Sequence, residues 1–590
     1  MKPSKVQSGP VPLRTDDDQS QDGRRQRRAL AAAALSAAAA GAGYASFLAA
    51  SEWTLLGRGA LVVAACAGLY LLAQLTQLAF DLWLFGGRRY NHAPLRDPAT
   101  GLFNFSNWGG NQRFTPREVE RPATLEELLA LVQKHGRAGR KLKALGSLHS
   151  WSACATADDV AVVMHGLGRV LAHDEAKKTI TAEAGIQLRT LYAEMDAREL
   201  AIASMPNVDT NLLGGAIANA THGTNFSRGT MSSYVRTLQL VLFRTEGGEV
   251  ARGKAELVTL RRDDKDPEKR AWFEAAVASF GALGIVYAVE LQCEAPFACI
   301  VAEHSFPFSH IDGRLAELAA SHFSAFFSVA TSTGVVRSRI QVPVPRDLVS
   351  SGATCLLSEN DLRVVKLLLW AATPTATTWL WLRRLLNQLF YNASLGSLGT
   401  AESQQGRRRE GVMSWRDAEL LSRIFAVTAT APWINLEYAV PIHRADEAAR
   451  KLLALHQRYP VFTSFVMRPV GADSVGYLSP TKGRPTVYFD IGYHHALVDT
   501  GIYPEVEKLL LACEGRCSWS RLFKAPMSEV VKQYPQYQEF VQAKREMDPC
   551  NVFSNAFSDA VLSAAGHPPV PVLAPFLPAS VPLPAAQRSS

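Results

Sequence analysis

Cysteine is scarce and scattered. Eight residues in 590 (Cys66, Cys154, Cys293, Cys299, Cys355, Cys513, Cys517 and Cys550) are spread along the chain, and only Cys513 and Cys517 stand close together. That spacing has no second pair and no neighbouring histidines to complete the four donors of a zinc site, so no metal is expected and the thiols read as reduced. The glycine signatures of nucleotide loops are also missing. Neither G-x-G-x-x-G nor a Walker A sequence occurs, which argues against a Rossmann-type dinucleotide site and a P-loop. A large excess of one charge is absent too: 62 basic against 54 acidic residues leave a formal +8. Much of that excess sits in short clusters, Arg24 to Arg28 and Arg88 to Arg89, which flank apolar segments. The pattern points to a membrane and away from nucleic acid. A composition 47% hydrophobic and 20% charged excludes a disordered chain, and the length suits two or three domains.

Long apolar runs are present near the start. Residues 1–28 are polar and basic and read as disordered; residues 29–86 then read as a membrane-spanning hairpin. Its first half, 29–50, is rich in Ala and Gly, whereas 59–85 carries more Leu, Val and aromatics and is the stronger span. Arginines outside both ends place the flanks, and with them the catalytic part, on the cytoplasmic side. A twin-arginine export signal over 24–45 is the competing reading and would put the catalytic part outside the cytoplasm. From about residue 104 the texture is soluble α/β, with a helix expected at 124–136 and strands at 141–145 and 160–164. Residues 104–295 form one expected domain and 296–560 a second. Within the second, 362–391 carries Trp370, Trp379 and Trp381 beside Arg383 and Arg384, which suits a membrane interface or a core equally. Residues 565–590 alternate Pro with small residues and read as a disordered tail.

Three segments invite a ligand. Gly146-Ser147-Leu148-His149-Ser150 follows an expected strand, and so little side-chain bulk lets successive backbone N–H groups approach a phosphate. The second segment runs from Asn211 to Thr224. Gly214 and Gly215 are followed by Asn219, Thr221, His222, Gly223 and Thr224, a composition suited to a backbone wrapped closely around a flat phosphorylated ligand. The third, Ser279 to Val286, brings Gly284 and Ile285 to a strand edge that admits an adenine ring. Each alone is also compatible with an ordinary glycine-rich turn.

The order of these segments is more specific than any one of them. Asn107-Trp108-Gly109-Gly110-Asn111, Arg121 to Leu128, Gly146 to Ser150, Thr181 to Gly185, Gly214 to Thr224 and Gly281 to Val286 together resemble the vanillyl-alcohol-oxidase class of flavoproteins, and within it the aldonolactone oxidase group. Glu437 to Pro441 and Met547 to Asn555 resemble that group's C-terminal pattern, and 370–391 its membrane-associated segment. The resemblance implies an α+β chain: a two-subdomain FAD-binding (PCMH-type) domain plus an α+β cap, here with N-terminal transmembrane helices. It implies FAD held by Gly146 to Ser150 through its pyrophosphate, with His149 bonded covalently to the flavin. Thr221 to Thr224 would touch flavin and phosphates, and Ile285 the adenine.

Two motifs depart from the group's pattern. Its Glu-x-Arg pair reads Val466-Met467-Arg468, and its His-Trp-x-Lys reads Ser518-Trp519-Ser520-Arg521 with Lys524 beyond. A cation near the flavin N1 and C2 carbonyl stabilises negative charge there, so Arg468, Arg521 and Lys524 are candidates, Arg468 first by position. The loss of the carboxylate argues against a standard aldonolactone substrate. For the proton that leaves the substrate hydroxyl, His494 and His495 are the candidate bases. The implied reaction oxidises a CH–OH group of a small lactone, polyol or other alcohol, with dioxygen or a membrane carrier as final acceptor. Two rivals stand beside it: a flavin-dependent reductase of a lipid or sterol double bond, and a flavin-binding membrane protein without catalysis.

Overall fold

A computed structural model describes residues 95–96, 100–246, 248–331, 334–349, 409–418, 433–458, 464–494 and 502–564. The segments 1–28, 29–86, 362–391 and 565–590, and His495, lie outside the described residues. Among the described residues no helix is long and apolar enough to cross a membrane.

Besides a small antiparallel sheet of Leu95–Arg96, Phe103–Ser106 and Arg113–Phe114, the first half holds two sheets. Strands β1 (Glu118–Glu120), β2 (Leu142–Leu145) and β3 (Val160–Val163) make a parallel sheet in the order β1-β3-β2. Helix α1 (Leu125–Arg137) joins β1 to β2. Its start is fixed by Thr124, whose hydroxyl accepts from the Glu127 N–H, while Glu127 accepts from the Ala123 N–H. The pair satisfies the Glu127 N–H of the first turn and the Ala123 N–H just ahead of the cap. Leu128, Leu131 and Val132 recur at helical spacing and are buried. The second sheet is antiparallel, in the order β7-β6-β8-β5-β4, from β4 (Val170–Asp174), β5 (Thr179–Glu183), β6 (Val235–Glu246), β7 (Glu249–Arg261) and β8 (Ile285–Gln292). Between β5 and β6 lie α2 (Leu188–Asp196) and the short α3 (Leu213–Ala218).

The second half is built on an eight-stranded antiparallel sheet. Its strands are β9 (Ala298–Pro307), β10 (Ser324–Ala330), β11 (Val335–Val344), β12 (Arg409–Ser414), β13 (Trp433–Pro441), β14 (Ser464–Val470), β15 (Thr486–His494) and β16 (Arg516–Cys517), in the order β12-β9-β11-β10-β14-β15-β13-β16. Strand alternation divides its two faces chemically. Leu436, Tyr438, Val440, Phe465, Met467, Val487, Phe489 and Ile491 are all buried on one side. Helix α4 (Ile442–Arg458) packs against β13 and β15 and buries Ala445, Ala448, Ala449, Leu452 and Leu455. The opposite face carries Asn435, Glu437, Val466, Arg468, Tyr488 and Asp490.

The chain end returns to the first half. Leu142 N–H donates to the Val552 carbonyl at 2.8 Å, and the Asn555 amide donates to the carbonyls of Ala153, Cys154 and Thr156. Lys544, fully buried on α5 (Tyr537–Met547), pairs with Asp548 and donates to the Ala282 carbonyl at 2.8 Å and to Ser554. Lys143 on β2 donates to the Phe280 carbonyl at 2.9 Å. Two buried ammonium groups thus hold the 278–282 turn, where Ala278, Phe280 and Gly281 all have positive φ. Lys544→Ala strands the Asp548 carboxylate in the interior, and a loss of about 3–5 kcal/mol in urea unfolding is expected.

Candidate functional site

The Gly146–Ser150 turn leaves β2 with Leu148 at φ 54°, a conformation costly for a branched side chain and sustained by its neighbours. Trp108 N–H donates to the Leu148 carbonyl at 2.8 Å, Ser147 Oγ to the Thr210 carbonyl at 2.7 Å, and Asn107 Nδ2 to the Ser150 carbonyl at 2.8 Å. His149 is oriented by two groups: its Nε2 lies 2.9 Å from Thr210 Oγ1, and its ring stacks on Trp108 at 5.6 Å. The Asn107 to Asn111 motif therefore acts as a brace for this turn.

The second segment packs beside it. Gly214, at the start of α3, lies so close to Ala184 that an added Cβ would come within 2.9 Å of the Ala184 Cβ, whereas Gly215 faces open space. A Cβ on Gly223 would meet the Met205 carbonyl at 2.5 Å, so the backbone passes there only without a side chain. Ala220 is left-handed at φ 49°, and Thr221 closes the turn by donating to the Ala216 carbonyl. Asn219 caps α3, its amide on the Gly215 carbonyl at 3.0 Å. Thr224 and Ser324 share a hydrogen bond that ties this segment to the second half. Gly284 abuts Leu242, and Ile285 opens β8.

Where the two halves meet, the polar sheet face supplies a charge cluster. Arg468, 4% exposed, donates through Nη2 to the carbonyls of His222 at 2.9 Å and Gly223 at 3.2 Å. His222 stacks on Tyr488 at 3.6 Å, and its Nε2 lies 3.2 Å from Glu437 Oε1. Arg521 Nε reaches Glu437 Oε2 at 3.2 Å, and Arg468 Nη1 lies 3.9 Å from Oε1. Burial opposes ionisation of Glu437, but Arg521, His222 and Arg468 outweigh it and hold the carboxyl well below its ordinary range. Burial and the Arg468 charge push His222 down, toward the neutral imidazole. Asp490 responds oppositely: burial, with the Glu437 charge beside it, pushes it up to about 6 against the pull of Arg521 and Arg468.

Sequence reading and structure coincide in part. Arg468 and Arg521 converge on one carboxylate. Lys524 is exposed, and its backbone N–H meets Glu507. His494 ends β15 opposite Trp433, four residues beyond Asp490. Trp519 of the altered Ser-Trp-Ser-Arg motif is fully buried among Phe280, Phe523, Tyr534 and Phe557. The Ser520 carbonyl accepts from the Trp151 N–H at 2.6 Å, which draws Arg521 toward the His149 turn. Glu437, Tyr488 and Asp490 had no assigned role in the sequence. Alternation over 486–494 was the available signal, since it sets Tyr488 and Asp490 apart from Val487, Phe489 and Ile491.

The residues fit an FAD on independent grounds. Among the described residues, Trp108 Nε1, Asn207 Oδ1 and Asn211 Oδ1 are buried without a hydrogen-bond partner, as are Arg468 Nε and Tyr488 Oη at the charge cluster. Such atoms are costly unless a ligand satisfies them. Trp108 belongs to the brace of the His149 turn, Asn207 and Asn211 stand on the segment between Met205 and Gly214, and Arg468 gives the charge cluster its cationic group.

Comparison with known proteins gives the same picture. Residues 116–252 match the FAD binding domain family and 289–561 match the D-arabinono-1,4-lactone oxidase family. The chain is 26% identical over 475 residues to L-gulono-1,4-lactone dehydrogenase of Mycobacterium tuberculosis, covering 78% of this chain and 99% of that protein. It is 24% identical over 468 residues to mouse L-gulonolactone oxidase, covering 78% and 98%. The crystal structure of cholesterol oxidase from B. sterolicum superposes with a TM-score of 0.62 at 16% identity, over 80% of this chain and 100% of that one, a likeness of fold. The chain thus carries a region matching an FAD binding domain and a region matching D-arabinono-1,4-lactone oxidase, and over 78% of its length it is similar to gulonolactone dehydrogenases and oxidases.

Proposed function

We propose that this protein is an FAD-dependent oxidoreductase that oxidises a CH–OH group of a small neutral lactone, polyol or related alcohol. Bound FAD supplies the two-electron acceptor for the hydride. The observation that carries the reading is the pair of arginines, Arg468 and Arg521, fixed on Glu437 beside the His222–Thr224 backbone. A buried cation there stabilises negative charge developing on a neighbouring ring without having to reorganise. Arg468 is the residue for this task, with Arg521 orienting Glu437; Lys524 is the third candidate and His494 a candidate base. Gly146 to Ser150 and Gly214 to Thr224 hold the cofactor, with Gly284 and Ile285 toward its adenine. The charges of the two arginines are largely matched by Glu437 and Asp490, which favours neutral over anionic substrates. Val466 leaves an apolar wall where the group carries a carboxylate, so standard aldonolactones are expected to bleach the flavin more slowly than the preferred substrate does.

A covalent bond from His149 to the flavin is part of the proposal, supported by the brace of Trp108 and Thr210 that fixes the imidazole. So is membrane attachment through 29–50 and 59–85 with the catalytic domain cytoplasmic, supported by the arginines outside both runs. The domain limits follow the same reading: flavin domain 104–295, cap with C-terminal return 296–560. Electrons then pass to dioxygen or to a membrane carrier.

The test is anaerobic mixing of the purified protein with L-gulono-1,4-lactone, D-arabinono-1,4-lactone and an alditol such as xylitol. Bleaching of the flavin band by one of them, reversed on admitting air or a quinone, is the expected result. A flavin that dithionite reduces and none of these bleaches contradicts the reading.

A further inference from the structure

The group's substrate-binding carboxylate is missing from position 466, yet a carboxylate stands beside it. In the sheet register Val466 on β14 faces Asp490 on β15, and Asp490 in turn faces Glu437 on β13. The three share the polar face, about 4.8 Å apart from strand to strand. Glu437 is spoken for, because both its oxygens are engaged by His222 and Arg521. Asp490 is 8% exposed, and its one hydrogen bond among the described residues is accepted by Oδ1 from the Asn435 amide at 2.9 Å. Oδ2 is thereby left for a ligand. The face around it also holds Arg468 Nε and Tyr488 Oη, both buried and without a hydrogen-bond partner among the described residues. His494 lies four residues along the same strand, roughly 13 Å away, outside this constellation.

We infer that Asp490 binds the substrate hydroxyl through Oδ2 and takes its proton, replacing the carboxylate lost at Val466 from the neighbouring strand. The inference rests on the oxidation proposed above and names the base for it. The substrate O–H bond breaks, its electron pair becomes the second bond of the new carbonyl, the proton stays on Asp490 Oδ2, and the carbon-bound hydrogen leaves as hydride to the flavin. Protonation of Asp490 makes the Arg468–Arg521–Glu437–Asp490 group one charge more positive at the moment negative charge arises beside it. The environment suits the task. Burial and the Glu437 charge raise the carboxyl to about 6, so it is ionised at neutral pH yet basic enough to accept a proton.

The flavin-loaded, full-length enzyme tests this with L-gulono-1,4-lactone and xylitol as probes under anaerobic conditions. In the wild type the rate of flavin bleaching falls on acidification with a midpoint near pH 6, and the oxidised flavin spectrum shifts over the same range. Asp490→Asn lowers the rate at pH 8 by ~100-fold or more, removes the acid limb and abolishes the spectral shift. Adding Val466→Glu to Asp490→Asn restores part of the rate. Wild-type rate and acid limb in Asp490→Asn overturn the inference and leave the proposed oxidation standing. Should Asp490→Asn fail to fold, the wild-type spectrum decides, and a spectrum unchanged between pH 5 and pH 7.5 overturns it. A wild type bleached by neither probe overturns the inference together with the oxidation on which it rests.

Discussion

Glu437→Gln is expected to lower stability by about 3 kcal/mol at neutral pH, the cost of leaving buried charge uncompensated. The glutamine keeps the shape and the contact to His222 but removes the carboxylate that lies within ion-pair distance of both Arg468 and Arg521, leaving Asp490 as the remaining negative group of the cluster. Among the described residues the hydrogen bonds of Arg468 go to the His222 and Gly223 carbonyls, neither of which carries a charge. The pH dependence follows from the sign of the shift. Glu437 is held below its ordinary value when folded, so its contribution is complete above the unfolded pKa of about 4.3 and is lost as the pH falls below it. The difference between wild type and variant is therefore largest at neutral pH and smaller at pH 3, where the contribution has begun to fall toward the depressed folded value, which urea titrations at pH 7 and pH 3 will read. Asp490 carries the opposite sign. Its raised carboxyl favours the folded state below the unfolded pKa of about 3.9 and opposes it as the pH rises toward 6. Removing the Glu437 charge also removes the repulsion on Asp490, so the acid limb of the reaction in Glu437→Gln moves below pH 6.

His149→Ala is expected to release the flavin. Acid-precipitated wild type keeps its yellow colour in the pellet, whereas the variant leaves flavin in the supernatant after denaturation. Noncovalent binding in the variant persists, because the Gly146–Ser150 turn is braced by Ser147 on Thr210 and by Trp108 on Leu148 as well as by the histidine. A wild-type pellet without flavin removes the covalent bond and leaves the cofactor site untouched. Loss of colour from the His149→Ala protein before denaturation would instead assign the histidine to retention of the cofactor as a whole.

The local parts of this fold were legible in the chain, and the assembled parts were not. Helix α1 came within a residue of its expected limits, because Thr124, Glu127 and the spacing of Leu128, Leu131 and Val132 are all local signals. Strands β2 and β3 likewise fell within a residue of the segments expected at 141–145 and 160–164. The glycine positions also announced themselves: Gly214 and Gly223 lie where a Cβ would collide with Ala184 and Met205. The charge cluster was hidden for a physical reason. Sheet order sets β15 between β14 and β13, so Glu437 and Val466 each flank Asp490, although residue 437 precedes 466 and 490 follows it. No periodicity in one strand reveals its neighbours. Reading the Val466-Met467-Arg468 motif in isolation gave a missing carboxylate; the register shows one directly across the strand. Arg521 shows the converse case. Its motif was altered in sequence, yet Trp519 is buried as a rigid anchor and the turn still delivers a cation to Glu437.

The most direct measurement is the absorption spectrum of the purified full-length protein. Flavin bands near-stoichiometric with the chain, retained through gel filtration, are the predicted result. A well-folded protein that is colourless and takes up no FAD when the cofactor is added would contradict the account at its root.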